Sequence, residues 1–81
     1  MSESPPQPAP RYALAFLTNE WEWTEALEVE GFDAAKAAAR QALERVVREE
    51  KPELACVTLM EAGVKIGVWD WVLERPYWTP L

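Results

Sequence analysis

The most regular pattern along the chain is an alternation of apolar and polar residues between Trp21 and Glu30. Successive side chains of a β-strand point to opposite faces, so this alternation predicts a strand with one buried and one solvated face. Glu25 interrupts the apolar side. The apolar side otherwise comprises Trp21, Trp23, Leu27 and Val29, and the polar side comprises Glu22, Thr24, Ala26, Glu28 and Glu30.

The segment before this strand is apolar on both of its faces. The pattern from Arg11 to Thr18 predicts a first strand, and two apolar faces are typical of a central strand that is covered on both sides. A turn is expected at Asn19 and Glu20, because asparagine tolerates the left-handed backbone that tight hairpins need. The first two strands are therefore predicted to pair as a hairpin.

From Ala34 to about Glu50 the apolar period changes to that of an α-helix. Asp33 is the predicted N-cap, because its carboxylate can accept hydrogen bonds from free backbone N–H groups. Pro52 should end the helix, because proline disfavours helical geometry in the residue before it. The apolar stripe comprises Ala35, Ala38, Ala39, Ala42, Leu43, Val46 and Val47, and the expected ion pairs are Arg40–Glu44, Glu44–Arg48 and Arg45–Glu49.

The small residues in the first half of this helix should let it lie close to a sheet, where Trp21 and Trp23 would fill the remaining gap. Two further strands are predicted after the helix, from Leu54 to Met60 and from Val64 to Leu73. The turn between them contains Gly63, which is expected at a positive φ in a bulged hairpin.

The resulting order, ββαββ, predicts a single small α+β domain over residues 11–75. Its sheet would be four-stranded and mostly antiparallel, with one helix packed on one face. Residues 1–10 are rich in proline and are expected to form a disordered tail. Residues 76–81 are expected to form an apolar C-terminal tail.

The composition restricts the kinds of partner. The chain has 81 residues and a formal net charge of −6, so nucleic acids and anionic membrane surfaces should repel it. A single cysteine, Cys56, excludes an intramolecular disulfide and fits a reducing compartment. The sequence shows neither a secretory signal pattern nor an apolar run of membrane-spanning length. A cytoplasmic protein without membrane contact is therefore expected.

Few side chains are suited to catalysis. The sequence has no histidine, so the commonest proton shuttle and metal ligand is missing. Cys56 has no basic neighbour in the sequence that would activate its thiol, and no phosphate-binding loop or metal-ligand spacing occurs. We expect a non-enzymatic protein with no cofactor and no metal. The alternative is an enzyme that uses a pair of carboxylates, such as Glu61 with Asp70.

Four glutamates on or beside the second predicted strand form what we call the acidic ladder: Glu20, Glu22, Glu28 and Glu30. One interpretation is a solvated strand whose charges prevent edge-to-edge pairing. The other is an imitation of a phosphate backbone, because strand residues two apart are spaced by ~6.6 Å. Such a surface could occupy the basic groove of a nucleic-acid-binding protein. Two uncharged positions interrupt the ladder, which weakens this second interpretation.

Four aromatic residues near the C-terminus, Trp69, Trp71, Tyr77 and Trp78, form a second candidate surface, the aromatic group. If the alternating aliphatic residues from Val64 onward face the helix, Trp69 and Trp71 face the open side of the sheet. The aromatic group would then form either a second small core or an interface in which aromatic side chains act as anchors.

Together these patterns favour a protein-binding module, such as a small acidic inhibitor or regulator of a nucleic-acid-handling complex. The acidic ladder would supply the electrostatic face and the aromatic group the apolar anchors. Many phage-encoded inhibitors, including anti-CRISPR proteins, have this size and charge, which is an analogy of class and not of sequence. The expected partner is a protein, for instance a basic nucleic-acid-binding protein. The alternative is a homodimer or accessory subunit that pairs through the open aromatic face.

Overall fold

A computed structural model describes residues 11–81, which form one helix and five strands. All strand pairings are antiparallel, in the order β2-β1-β3-β4-β5. The α+β fold with one helix on one face of the sheet is therefore confirmed, but the sheet has five strands instead of four. The elements are β1 (Tyr12–Thr18), β2 (Glu22–Leu27), α1 (Phe32–Glu50), β3 (Ala55–Glu61), β4 (Val64–Val72) and β5 (Arg75–Pro80). The predicted N-terminal tail, residues 1–10, lies outside the described residues.

The additional strand, β5, occupies the segment that was expected to be an apolar tail, so that prediction was wrong. A two-residue turn, Leu73-Glu74, reverses the chain between β4 and β5. Both turn residues have positive φ angles, 51° and 63°, as a type I′ hairpin turn requires. Such turns usually contain asparagine and glycine, and a Leu-Glu turn therefore gives no hairpin signal in the sequence.

Replacing Glu74 with glycine is expected to stabilise the domain by about 0.5–1 kcal/mol. The left-handed conformation costs a residue with a Cβ roughly 1–2 kcal/mol, and the greater freedom of glycine in the unfolded chain offsets only part of that gain. Urea denaturation of the wild type, Glu74→Gly and Glu74→Ala checks this. The alanine variant removes the same side chain and retains the Cβ, so equal midpoints for the two variants would contradict the explanation.

The helix begins two residues earlier than predicted, at Phe32 instead of Ala34. Gly31 is the N-cap, with φ 91°, and no side chain caps the helix, so the prediction of Asp33 as the cap was wrong. Asp33 instead lies in the first turn, where a carboxylate interacts favourably with the helix dipole. At the other end Lys51 adopts the left-handed conformation, and its N–H donates to the Val47 carbonyl at 3.1 Å. The helix thus ends before Pro52, as predicted.

The predicted apolar stripe of the helix forms one half of the core. Ala38 and Val47 lie at its margins and are half-buried, and the remaining five stripe residues are buried against the side chains of β1, β3 and β4. The buried core residues are Tyr12, Leu14, Phe16, Ala35, Ala39, Ala42, Leu43, Val46, Ala55, Val57, Leu59 and Trp69. β1 is an interior strand, as expected, but only its helix-facing side is covered. On its other side Leu17 is 41% exposed.

From Gly67 onward, the side chains of β4 face opposite to the expected directions. The pairing of β3 with β4 shifts register between Leu59 and Met60, which is the signature of a β-bulge. Beyond the shift, Gly67 lies opposite Leu59 and Trp69 lies opposite Val57, so both belong to the helix-facing side. The prediction that Trp69 and Trp71 face the open side of the sheet was therefore wrong.

Trp69 and Trp78, and not Trp21 and Trp23, fill the space beside the alanine-rich half of the helix. The Trp69 indole Nε1–H donates to the backbone carbonyl of Lys36 at 2.9 Å. The two rings pack against each other with centroids 5.3 Å apart, and the Lys36 ammonium lies 4.9 Å from the Trp78 centroid. Three of the four members of the aromatic group, Trp69, Trp71 and Trp78, thus pack in or against the core.

Candidate protein-binding edge

Among residues 11–81, no strand pairs with the outer edge of β2. The Thr18 N–H donates to the Trp21 carbonyl at 2.8 Å, which fixes one hydrogen-bonded pair of the β1–β2 ladder. Residues of an antiparallel ladder alternate between pairs that exchange hydrogen bonds and pairs that do not. The alternate β2 residues therefore turn their N–H and C=O groups away from β1. These outward-facing residues are Glu22, Thr24 and Ala26.

The opposite edge of the sheet, β5, is blocked. The Leu81 N–H donates to the Ile66 carbonyl, and continuing this register places Pro76, Trp78 and Pro80 at the outward-facing positions. Proline has no N–H to offer, and edge prolines prevent another strand from pairing. Of the two edges of this sheet, β2 is therefore the one that can accept a further strand.

The acidic ladder lies along this available edge, and all four of its carboxylates are exposed. The structure divides it into two pairs. Glu20 and Glu22 lie at the turn end of β2, and Glu28 and Glu30 lie in the segment that leads to the helix. At the rise of a strand, Glu22 and Glu28 are roughly 20 Å apart. The ladder thus has two acidic ends, and the residues between them on the open face of β2, Thr24 and Ala26, are uncharged.

Two carboxylates that sequence reasoning missed extend the acidic end at the turn. Glu50, from the end of the helix, and Glu53, from the following loop, line the same recess as Glu20. Asn19 brings the two segments together, because its side-chain oxygen accepts from the Glu53 N–H at 3.0 Å. Nothing in the local pattern links residues 20 and 53; the contact depends on how β3 returns beside β1.

Trp21 lies at this acidic end and is 62% exposed, so the prediction that it belongs to the core was wrong. The turn holds it there: the buried Thr18 hydroxyl accepts hydrogen bonds from the backbone N–H groups of Glu20 (3.2 Å) and Trp21 (2.9 Å). Trp21, Trp23, Glu22 and Glu50 line a shallow depression of about 340 Å³. An exposed indole surrounded by carboxylates suits the aliphatic stem and charged end of a lysine or arginine side chain.

Glu25, the residue that interrupted the apolar side of β2, reaches toward the helix. Its carboxylate accepts from the Trp23 indole N–H at 3.0 Å and pairs with Arg45 at 3.5 Å. Arg45 therefore pairs with Glu25 and not with Glu49 as predicted, whereas the expected Arg40–Glu44 pair is confirmed at 3.0 Å. No pair between Glu44 and Arg48 forms in the part of the chain that the structure describes.

The helix is displaced from β2 and leaves a groove. It packs mainly on β3, with smaller contacts to β4 and β5. A cavity of about 200 Å³ remains between the helix and β2. Its apolar wall includes Leu14, Phe16, Leu27 and Ala42, and Glu25 and Arg45 also line it. The groove runs beside β2, the same strand that forms this edge of the sheet.

The open face of the sheet, opposite the helix, carries Tyr77, Cys56 and Asp70. Tyr77 is 47% exposed and is the one member of the aromatic group on this face. Cys56 lies opposite Asp70, and burial together with that carboxylate raises the pKa of the Cys56 thiol. A raised pKa lowers the thiolate fraction at neutral pH, so the thiol is a poor nucleophile here.

The carboxylates considered for catalysis do not meet. Glu61 is the last residue of β3, lies on its helix-facing side and pairs with Arg11 at 2.6 Å. Asp70 lies on the open face. Among residues 11–81, no group of three or more potential metal ligands comes together. Within the same residues, no helix has both the length and the apolar character needed to cross a membrane.

Comparison with known proteins identified no relative. No protein-family model matches the chain, and neither the curated proteins nor the solved structures include a significant match.

Proposed function

We propose that this chain is a non-enzymatic protein-binding module whose acidic β2 edge binds a basic partner in the cytoplasm. The observation that carries the proposal is that three features occur together at the β2 edge of the sheet. These are an unblocked strand edge, carboxylates at both of its ends, and a largely exposed Trp21 between Glu20, Glu22 and Glu50.

The charge distribution favours a basic protein over other partners. The formal net charge is −6, and long-range attraction would raise the rate of encounter with a positively charged surface. Trp21 supplies the kind of aromatic anchor that dominates binding energy at interfaces. Nucleic-acid-binding proteins present basic grooves, so the partner we favour is a nucleic-acid-handling protein that the chain inhibits or regulates.

Reversing two charges of the edge, Glu22→Lys with Glu28→Lys, is expected to weaken partner binding by about 10- to 100-fold at low salt, since each lost or repelled charge contributes of order 1 kcal/mol. The partner is first isolated from a lysate of the native host on immobilised wild-type protein. Its affinity for each variant is then measured by titration at two salt concentrations. A partner that is inhibited by occupation of its groove should also lose its nucleic acid when the wild type is added.

A matched variant, Glu44→Lys with Glu74→Lys, changes the net charge by the same amount. These residues lie on the solvated side of the helix and in the β4–β5 turn, away from β2. It should bind the partner nearly as well as the wild type. Equal loss in both double variants would show that net charge alone matters, and unchanged binding in both would contradict the proposed function.

The second candidate, pairing of two copies through the open sheet face, retains one observation in its favour: exposed apolar side chains on that face, including Leu17, Val72 and Tyr77. Of the aromatic group, Tyr77 alone lies on that face. Deleting the C-terminal residues would not test this dimer. Residues 75–80 form β5, whose Trp78 packs against the core, so the deletion would also disturb the fold. Sedimentation of the intact chain distinguishes a dimer from a monomer.

A further inference from the structure

We propose that the outer edge of β2 binds its partner by strand addition: an extended segment with alternating basic and apolar residues becomes a sixth strand of the sheet. This inference rests on the proposed function and names the form in which the basic partner binds. In this mode of recognition, backbone hydrogen bonds supply affinity and alternate side chains supply specificity.

The backbone of β2 offers a complete set of partners for such a strand. Glu22, Thr24 and Ala26 turn both N–H and C=O outward, which provides donors and acceptors at every second residue. Among the residues that the structure describes, the helix packs mainly on β3, and Glu22, Thr24 and Ala26 remain exposed at this edge. The other edge, with Pro76 and Pro80, cannot serve the same purpose.

The two faces of β2 dictate the alternation of the bound segment. Directly opposite residues of an antiparallel pair have their side chains on the same face of the sheet. Residues that pair with Glu22, Thr24 and Ala26 therefore lie on the open face, next to the carboxylate of Glu22 and close to the acidic ends. Basic side chains are favoured at these positions.

The intervening residues of the bound segment point to the helix side. There they lie opposite Trp23 and Glu25. They also border the groove between the helix and β2, which Leu14, Leu27 and Ala42 line together with Glu25 and Arg45. Valine or another β-branched residue suits this position, because it is favoured in strands and adds apolar contact area. The preferred segment therefore alternates lysine or arginine with aliphatic residues.

A second copy of this chain is a poor occupant of the same edge. Pairing β2 with β2 of another copy would bring two acidic ladders together, and each copy carries a net charge of −6. Like charges across a strand pair are destabilising. Charge complementarity thus selects a basic segment and disfavours self-association at this edge.

The test uses a capped Lys-Val-Lys-Val-Lys peptide as the probe and the full chain as the receptor. Binding at low salt should slow amide hydrogen exchange of Glu22, Thr24 and Ala26, while the amides already bonded to β1 change little. Thr24→Pro should weaken peptide binding by at least about tenfold, because it removes an outward N–H that makes no bond to β1. Thr24→Val retains the N–H and should bind like the wild type.

Two N-methylated peptides keep the test independent of how well the proline variant folds. For antiparallel addition, methylation of the lysine backbone nitrogens should block binding, and methylation of the valine nitrogens should not. The reverse result would indicate parallel addition. Equal binding of both peptides, or no binding of the unmodified peptide, would overturn strand addition. The proposed function would still stand if the isolated partner responded to charge reversal at Glu22 and Glu28 but not to Thr24→Pro.

Discussion

Replacing Gly67 with alanine is expected to lower the free energy of unfolding by about 2–4 kcal/mol, an unusually large effect for the addition of one methyl group. A Cβ at this position would overlap the Cζ2 and Cη2 atoms of the Trp78 ring. The Trp78 ring extends from β5, covers Gly67 of β4 and packs against Trp69. It would have to leave that place, and its burial against the core would be lost.

Urea denaturation measures this loss, and a double-mutant cycle identifies its cause. In a Trp78→Ala background there is no ring to displace, so the cost of Gly67→Ala should fall below about 1 kcal/mol, with alanine even favoured over glycine in a strand. A cost that is the same in both backgrounds would show that the backbone of β4, and not the indole, requires glycine at this position.

The second large effect is expected at Trp69, the most deeply buried tryptophan of the chain, at 8% exposure. Trp69→Ala should destabilise the domain by about 3–5 kcal/mol, because it removes a large core side chain and leaves a cavity. The cavity would lie between β4 and the alanine-rich half of the helix, where the indole N–H bonds to the Lys36 carbonyl.

Trp69→Phe separates packing from hydrogen bonding. It retains much of the aromatic bulk and loses the indole N–H, so a cost of roughly 1–2 kcal/mol is expected. The Lys36 carbonyl still has its partner within the helix, which keeps the penalty small. Both values come from denaturation curves followed by circular dichroism, since the substitutions change the tryptophan fluorescence. A phenylalanine variant as unstable as the alanine variant would contradict this division.

The packing of Trp69 and Trp78 explains why the aromatic group is not the main candidate site. Trp69 and Trp78 close the side of the core between the helix and the β4–β5 hairpin. Because they are packed there, they stabilise the fold and present little surface to a partner. The exposed aromatic residue beside the acidic ladder is Trp21. The candidate site therefore moves to the opposite edge of the sheet from the one that carries most of the aromatic group.

The local sequence determined most of the secondary structure. The helical stripe from Ala35 to Val47, the apolar segments of β1 and β3, and the glycine turn at Gly63, whose φ is 80°, all follow from short-range patterns and backbone preference. The exposed acidic ladder was also predictable, because a run of alternating glutamates is costly to bury.

Only the tertiary structure decided which face of each strand is buried. A shift of one residue exchanges the two faces of a strand, and the shift between Leu59 and Met60 placed Trp69 under the helix. The fifth strand depended on a Leu-Glu turn held in the left-handed region by the pairing of β4 with β5. The exposure of Trp21 depended on where the helix lies across the sheet, and the edge position of β2 depended on the strand order. These features arise from contacts between distant parts of the chain, which local periodicity cannot specify.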